Sequence, residues 1–159
     1  MERLAKSLGE RLRAASALLV TAESCTGGWA AQVVTSVAGS SGWFERGFVT
    51  YSNAAKQELL GVRAETLQRH GAVSEETARE MALGALAHSR GTVAVSVTGV
   101  AGPGGGSPDK PVGMVCFAWA DAQGRIRSET ARFEGDRESV RRQSVIHALE
   151  GVLAALDGG

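Results

Sequence analysis

The stretch VTAESCTGGW, residues 20–29, sets a carboxylate (Glu23), a hydroxyl (Ser24), a thiol (Cys25), a second hydroxyl (Thr26) and two glycines (Gly27, Gly28) side by side. Before it, ALLVTA reads as a buried strand; after it, WAAQVV reads as a helix. A hydroxyl at a helix start can simply cap it. Here Ser24 and Thr26 compete for one cap, and Gly27-Gly28 lowers helix propensity in the first turn. Glycines there let a ligand approach free backbone N–H groups, which favour an anion or a developing oxyanion. Ser24 is then a candidate nucleophile or substrate donor. Cys25 is the weaker candidate, because a catalytic thiol wants a histidine and His70, His88 and His147 all fall in helical, peripheral segments.

A second oddity is YSNAAK, residues 51–56. With Ser52 or Asn53 as cap, Lys56 falls in the first turn of a helix, where the dipole disfavours a cation. That penalty is only ~0.3–1 kcal/mol, less than one pKa unit, so the dipole alone does not make Lys56 a base near neutrality. Burial beside a ligand pocket would have to supply the rest; the alternative is a solvated lysine. Tyr51, the one tyrosine in the chain, ends the preceding strand, where its hydroxyl can reach the same pocket.

TGVAGPGGG, residues 98–106, lacks GxGxxG spacing, and Pro108 and Pro111 lead into a strand rather than a helix, so it is no dinucleotide fingerprint. Thr98 and Gly99 are nevertheless placed to present donors at a strand end. In DRESVRRQ, Arg137, Arg141 and Arg142 crowd the positive start of the last helix, a poor match unless an anion is near. Surface pairing with Glu134 and Glu138 accounts for Arg137; Arg141 or Arg142 is the candidate for a substrate phosphate. No histidines or carboxylates show metal-ligand spacing.

These segments are held by a regular alternation of elements. Leu4, Leu8 and Leu12 mark a surface helix over 2–16, and residues 16–21 give strand one. A helix over 26–38 follows, then strand two at 47–51, a short helix over AAKQELLG, and another over 64–70. Acids at Glu75 and Glu76 open a helix that runs to Ser89. TVAVSVTG, residues 92–99, is an interior strand, and 112–120 with 125–133 flank a hairpin turn. Asp136 caps a last helix with Val140, Ser144, Ala148 and Val152 on one face. The pattern predicts a mixed sheet with helices on both faces, and ligands gather at the carboxyl ends of parallel strands in such sheets. ESCTGG, YSNAAK and TGVAGPGGG all fall at those ends.

With 159 residues the chain has the size of one domain, residues 1–159. Basic and acidic residues number 17 each, which speaks against a polyanion partner such as a nucleic acid. Two unmatched cysteines, Cys25 and Cys116, point to a reducing compartment. The amphipathic first residues are no signal peptide, and no apolar run approaches the ~20 residues of a membrane span. A cytoplasmic protein with no membrane partner is expected.

Six blocks in order, TAESCTGG, GFVTYSNAAK, GAVSEETA, VSVTGVAGPGGG, KPVGMVCFA and the final RRQ, resemble the C-terminal domain of the CinA competence/damage-inducible proteins. The match runs from about residue 5 to 155. The resemblance implies a three-layer α/β/α fold with a five-stranded mixed sheet, strand four antiparallel. It implies hydrolysis of nicotinamide mononucleotide to nicotinate mononucleotide and ammonia, a step of pyridine-nucleotide salvage. No metal or organic cofactor is expected, and homodimers are common in the family. Carried over by position, Ser24, Tyr51 and Lys56 are the catalytic candidates. Thr26, Gly27, Gly28, Ser41, Thr98, Gly99, Arg141 and Arg142 are the substrate-binding ones, with Arg142 the better match for phosphate. Whether Ser24 or a water attacks stays open. The alternative is a non-catalytic nucleotide-binding or regulatory module linked to competence or DNA damage; a third reading is a phosphatase.

Overall fold

A computed structural model describes residues 1–158. The elements are α1 (Glu2–Ala14), β1 (Leu19–Glu23), α2 (Trp29–Thr35), a single 3-10 turn (Ser40–Gly42), β2 (Phe44–Val49), α3 (Asn53–Leu60), α4 (Ala64–His70), α5 (Glu75–Ala87), β3 (Val93–Gly99), β4 (Met114–Asp121), β5 (Ile126–Arg132) and α6 (Arg137–Leu156). The sheet order is β2-β1-β3-β4-β5. β1 pairs in parallel with β2 and β3, while β4 runs antiparallel to both β3 and β5. Strand four is therefore the reversed strand of a five-stranded mixed sheet, as expected.

Strands buried on both faces explain the apolar runs. All five residues of β1 are buried, and so are the first six of β3. Alternate residues point to opposite layers. Leu19, Val95, Val97, Phe117 and Trp119 pack under α1, α2 and α6. Val20, Ala22, Ala94, Cys116 and Ala118 pack under the layer of α3, α4 and α5. The face of α6 marked by Val140, Ser144, Ala148 and Val152 is buried throughout.

Three sequence expectations shift. Strand one begins at Leu19, not residue 16, and includes Glu23; strand two begins at Phe44, three residues earlier than expected. The second helix does not start at residue 26. Gly27 and Gly28 take φ of +59° and +100°, so the chain makes a left-handed turn and α2 starts only at Trp29.

Chain direction fixes where chemistry can sit. α2 leaves β1 toward one face and α3 leaves β2 toward the other, so a crevice opens between the ends of adjacent strands. Those ends are in register: Glu23 pairs with Val49, and Thr50 N–H donates to the Glu23 carbonyl at 2.8 Å. A glycine brings α3 against the core. A Cβ on Gly84 of α5 would lie 1.9 Å from the Leu60 carbonyl oxygen, so only hydrogen there lets the end of α3 seat.

Candidate active site

At the carboxyl edge of β1 the chain splits its polar groups between two layers. Glu23 is buried, and its carboxylate accepts from Thr26 Oγ1 at 2.6 Å and from the N–H groups of Ala30 at 2.9 Å and Ala31 at 3.0 Å. Neither Ser24 nor Thr26 caps α2; Glu23 does so from the strand end. The carboxylate also suits the positive end of the helix. Composition marked Glu23 as one of the crowded groups, but nothing in the spacing showed that its acceptors would be met seven and eight residues later.

Ser24, one residue on, turns to the α3 layer. Ser52 caps α3 by accepting from Ala55 N–H at 3.0 Å. Lys56 then lies three residues into the helix and folds back under it, 1% exposed. Its Nζ is 2.9 Å from Ser24 Oγ, 2.9 Å from the Thr50 carbonyl oxygen and 3.2 Å from that of Tyr51. Ser24 Oγ–H can in turn donate to the Tyr51 carbonyl at 3.4 Å. Among the described residues no carboxylate forms an ion pair with Lys56. Burial pushes its ammonium below the usual value, and the one opposing influence is negative charge on Cys25. Cys25 is itself pushed up to about 12, first by burial and then by Glu23, so near neutrality it is an uncharged thiol and no nucleophile.

A neutral amine has two N–H donors and one lone pair. Two carbonyls and the Ser24 hydroxyl surround Nζ, so an amine that has lost its proton and donates to both carbonyls turns its lone pair to Ser24 Oγ. The arrangement is a serine–lysine pair, a known variant of the serine–base nucleophile. Beside it, the N–H groups of Cys25, Thr26 and Gly28 have no acceptor among the described residues, whereas Gly27 N–H closes the turn on the Ser24 carbonyl at 3.0 Å. The N–H groups left open to a ligand oxygen are therefore those of its neighbours and not that of Gly27.

The remaining expected residues divide. Tyr51 contributes its carbonyl to Lys56, while its ring is 63% exposed and its hydroxyl sits 3.5 Å from Arg137 Nη2. Thr98 is buried beside the site, but its hydroxyl donates to the Ala72 carbonyl at 2.8 Å and so ties down the chain before α5. Gly99 is required by packing, since a Cβ would lie 2.8 Å from the Met114 carbonyl oxygen. Ser41 is not brought to the pocket. It stands in the turn before β2, and the six residues of that strand, about 20 Å at ~3.3 Å each, run from it toward Ser24's edge.

The three arginines take different partners. Arg142 pairs with Glu138 at 2.9 Å on the exposed side of α6. Arg141 donates from Nε to the Cys25 carbonyl at 3.0 Å and from Nη2 to the Thr26 carbonyl at 3.1 Å. Arg137, expected to pair with surface acids, instead donates from Nη1 to the Gly102 carbonyl at 2.9 Å and reaches Tyr51. It lines a cleft of about 480 Å³ with Ala101, Pro103, Val112 and Asp136, between the loop after β3 and the start of α6. Its signal in the sequence, an arginine near the start of a helix, is shared by Arg141 and Arg142. No three His, Cys, Asp or Glu residues converge on a metal position among the described residues, and no helix among them is long and apolar enough to cross a membrane.

An open α/β sheet carrying a buried serine–lysine pair at the divergence of two crossover helices is the frame of a nucleophile-bearing hydrolase. Comparison supplies the family: the model of the CinA C-terminal domain matches residues 1–156, and the chain belongs to that family. It is 56% identical over 147 residues to a protein of Escherichia coli (strain K12) named nicotinamide-nucleotide amidohydrolase PncC, covering 92% of this chain and 89% of that one. A Pseudomonas putida protein of the same name is 56% identical over 150 residues, covering 94% and 93%. The crystal structure of the competence/damage inducible protein CihA from Agrobacterium tumefaciens superposes with a TM-score of 0.95 at 47% identity, over 98% of this chain and 94% of that one.

Proposed function

We infer that this protein, acting through residues 1–159 as one domain, hydrolyses the carboxamide of nicotinamide mononucleotide to nicotinate mononucleotide and ammonia. One observation carries the reading: a buried amine without an acidic partner, 2.9 Å from a serine hydroxyl. The names of relatives more than half identical over nine-tenths of the chain support the substrate.

Neutral Lys56 takes the Ser24 proton as Oγ attacks the carboxamide carbon. The carbonyl oxygen becomes an oxyanion held by N–H groups of the 24–28 turn, each such donor being worth roughly 10²–10³ in rate. Lysinium returns the proton to the departing nitrogen, ammonia leaves, and Ser24 holds the nicotinoyl ester. Lys56, neutral again, takes a proton from a water that attacks the ester carbon, and returns it to Ser24 Oγ as the C–O bond breaks and the carboxylate leaves. Tyr51 fixes the lysine through its carbonyl. Arg137, whose guanidinium has no carboxylate partner and faces the cleft, holds the 5′-phosphate; Arg141 and Arg142 are engaged elsewhere.

The non-catalytic nucleotide-binding module is not favoured, because a binding site for a nucleotide has no use for a buried amine without an acidic partner beside a serine hydroxyl. The reading includes a cytoplasmic homodimer acting on a small-molecule nucleotide and on no nucleic acid; equal acidic and basic counts of 17 support the last point. The test is ammonia release from nicotinamide mononucleotide, with phosphate release measured in parallel. Ammonia without phosphate is expected. Phosphate without ammonia would make the protein a phosphatase, and binding with neither product would make it a binding module.

A further inference from the structure

We propose that Arg141 is a positioning residue that builds the oxyanion hole by gripping two consecutive carbonyls of the 24–28 turn. The inference rests on the amidohydrolase reading and assigns a role to a residue that sequence reasoning took for a phosphate ligand. One guanidinium reaches across from α6 to accept nothing and donate twice, Nε to the Cys25 carbonyl at 3.0 Å and Nη2 to the Thr26 carbonyl at 3.1 Å. Its face lies over the Trp29 ring, 5.3 Å from the centroid, so its plane is fixed as well. A Cβ on Gly27 would lie 3.5 Å from Nη2, which places the guanidinium directly against the turn.

In a trans peptide the carbonyl and the following N–H point in opposite directions. Holding the Cys25 carbonyl therefore turns the Thr26 N–H away from Arg141, and that N–H has no acceptor among the described residues. Holding the Thr26 carbonyl turns the Gly27 N–H away in the same manner, and it closes the turn on Ser24 at 3.0 Å. Gly27 and Gly28, at φ of +59° and +100°, give the turn its shape. The Thr26–Gly27 peptide is also tied by Gly27 N–H to the Ser24 carbonyl and by Trp29 N–H to the Thr26 carbonyl, each at 3.0 Å, so the Cys25–Thr26 peptide is the one whose rotation Arg141 removes. Its charge also polarises both peptides, making their N–H groups better donors toward a developing negative charge. Glu23 secures the other end of the turn through Thr26 Oγ1, Ala30 and Ala31.

The experiment compares wild type, Arg141→Met and Arg141→Lys for kcat and KM on nicotinamide mononucleotide. The substrate carries the phosphate and a neutral carboxamide with no developed oxyanion, so the split between kcat and KM separates the two roles. Wild-type ammonia release is the control: without it the amidohydrolase reading fails, whatever Arg141 does. With it, Arg141→Met is expected to lower kcat about 10²-fold while KM stays within about threefold. A KM raised about tenfold or more would make Arg141 a substrate ligand and overturn the proposal, as would an unchanged kcat. If Arg141→Met does not fold, Arg141→Lys decides. An ammonium still grips one carbonyl, so the fold and KM should be kept with kcat about tenfold lower. Full kcat in the lysine variant overturns the two-carbonyl grip.

Discussion

Glu23 and Ser24 are neighbours at one strand end, yet the carboxylate serves α2 on one face of the sheet and the hydroxyl meets Lys56 on the other. Strand alternation produces the split, and it lets a one-residue step couple turn construction to nucleophile activation. Removing the carboxylate strands three donors, two of them buried. Glu23→Ala should therefore destabilise the chain by roughly 3 kcal/mol, a fall of about 6–12 °C in Tm for a protein of this size. Thermal melts followed by circular dichroism check this, and a shift below a degree would mean the cap is dispensable.

Lys56 sets the pH dependence. Burial disfavours its ammonium, so its folded pKa lies below the ordinary 10.5. The neutral amine is the active form, and kcat/KM should rise with pH through that lowered value and then level off. Lys56→Arg, always charged, should lose about 10²–10⁴-fold with the fold kept. Stability follows by linkage. Below the folded pKa both states hold the proton. Between it and 10.5 the unfolded chain binds more protons than the fold, so stability increases as pH rises across that window. Lys56→Met should lack the increase. A Tm difference between the two proteins that does not change with pH would place the lysine's titration at its ordinary value.

Much of this frame was legible in the sequence, because strand ends and helix starts are local events. Continuous β-branched residues marked β3, Asp136 marked the start of α6, and the order of elements put three odd segments at one edge. The Ser24–Lys56 pairing followed from that layout together with a lysine where the helix dipole opposes one. The remainder depends on angles that spacing does not carry. Which of three arginines faces the cleft is set by the rotation of α6 against Trp29 and the loop at Gly102. Ser41 was carried over by position alone, and its distance from the pocket became visible only when β2 was seen to begin at Phe44.

Attack by Ser24 predicts a covalent intermediate. Rapid quenching with acid during turnover, followed by mass spectrometry, should find the nicotinoyl ribotide ester on the peptide that contains Ser24. Ser24→Ala should lose at least about 10³-fold in ammonia release, since nucleophile and base act as a unit. An adduct-free wild type together with a Ser24→Ala variant that retains a tenth of the rate would assign the attack to a water held by Lys56.

Arg137 and Arg142 offer the sharpest contrast, because both sit near the start of one helix and only one faces the cleft. Arg137 is anchored by the Gly102 carbonyl at 2.9 Å and keeps donors free toward the opening beside Tyr51. A charge-assisted bond to phosphate is worth about 1.5–3 kcal/mol, so Arg137→Ala should raise KM for nicotinamide mononucleotide by about 10–100-fold with kcat nearly unchanged. Arg142 holds Glu138 in an exposed i,i+4 pair, and such pairs contribute about 0.3–0.5 kcal/mol. Arg142→Ala should therefore leave KM and kcat within about twofold of wild type. The reverse result, a high KM in Arg142→Ala and an ordinary one in Arg137→Ala, would move the phosphate to the outer side of α6 and require the substrate to enter past Trp29 instead of past Tyr51.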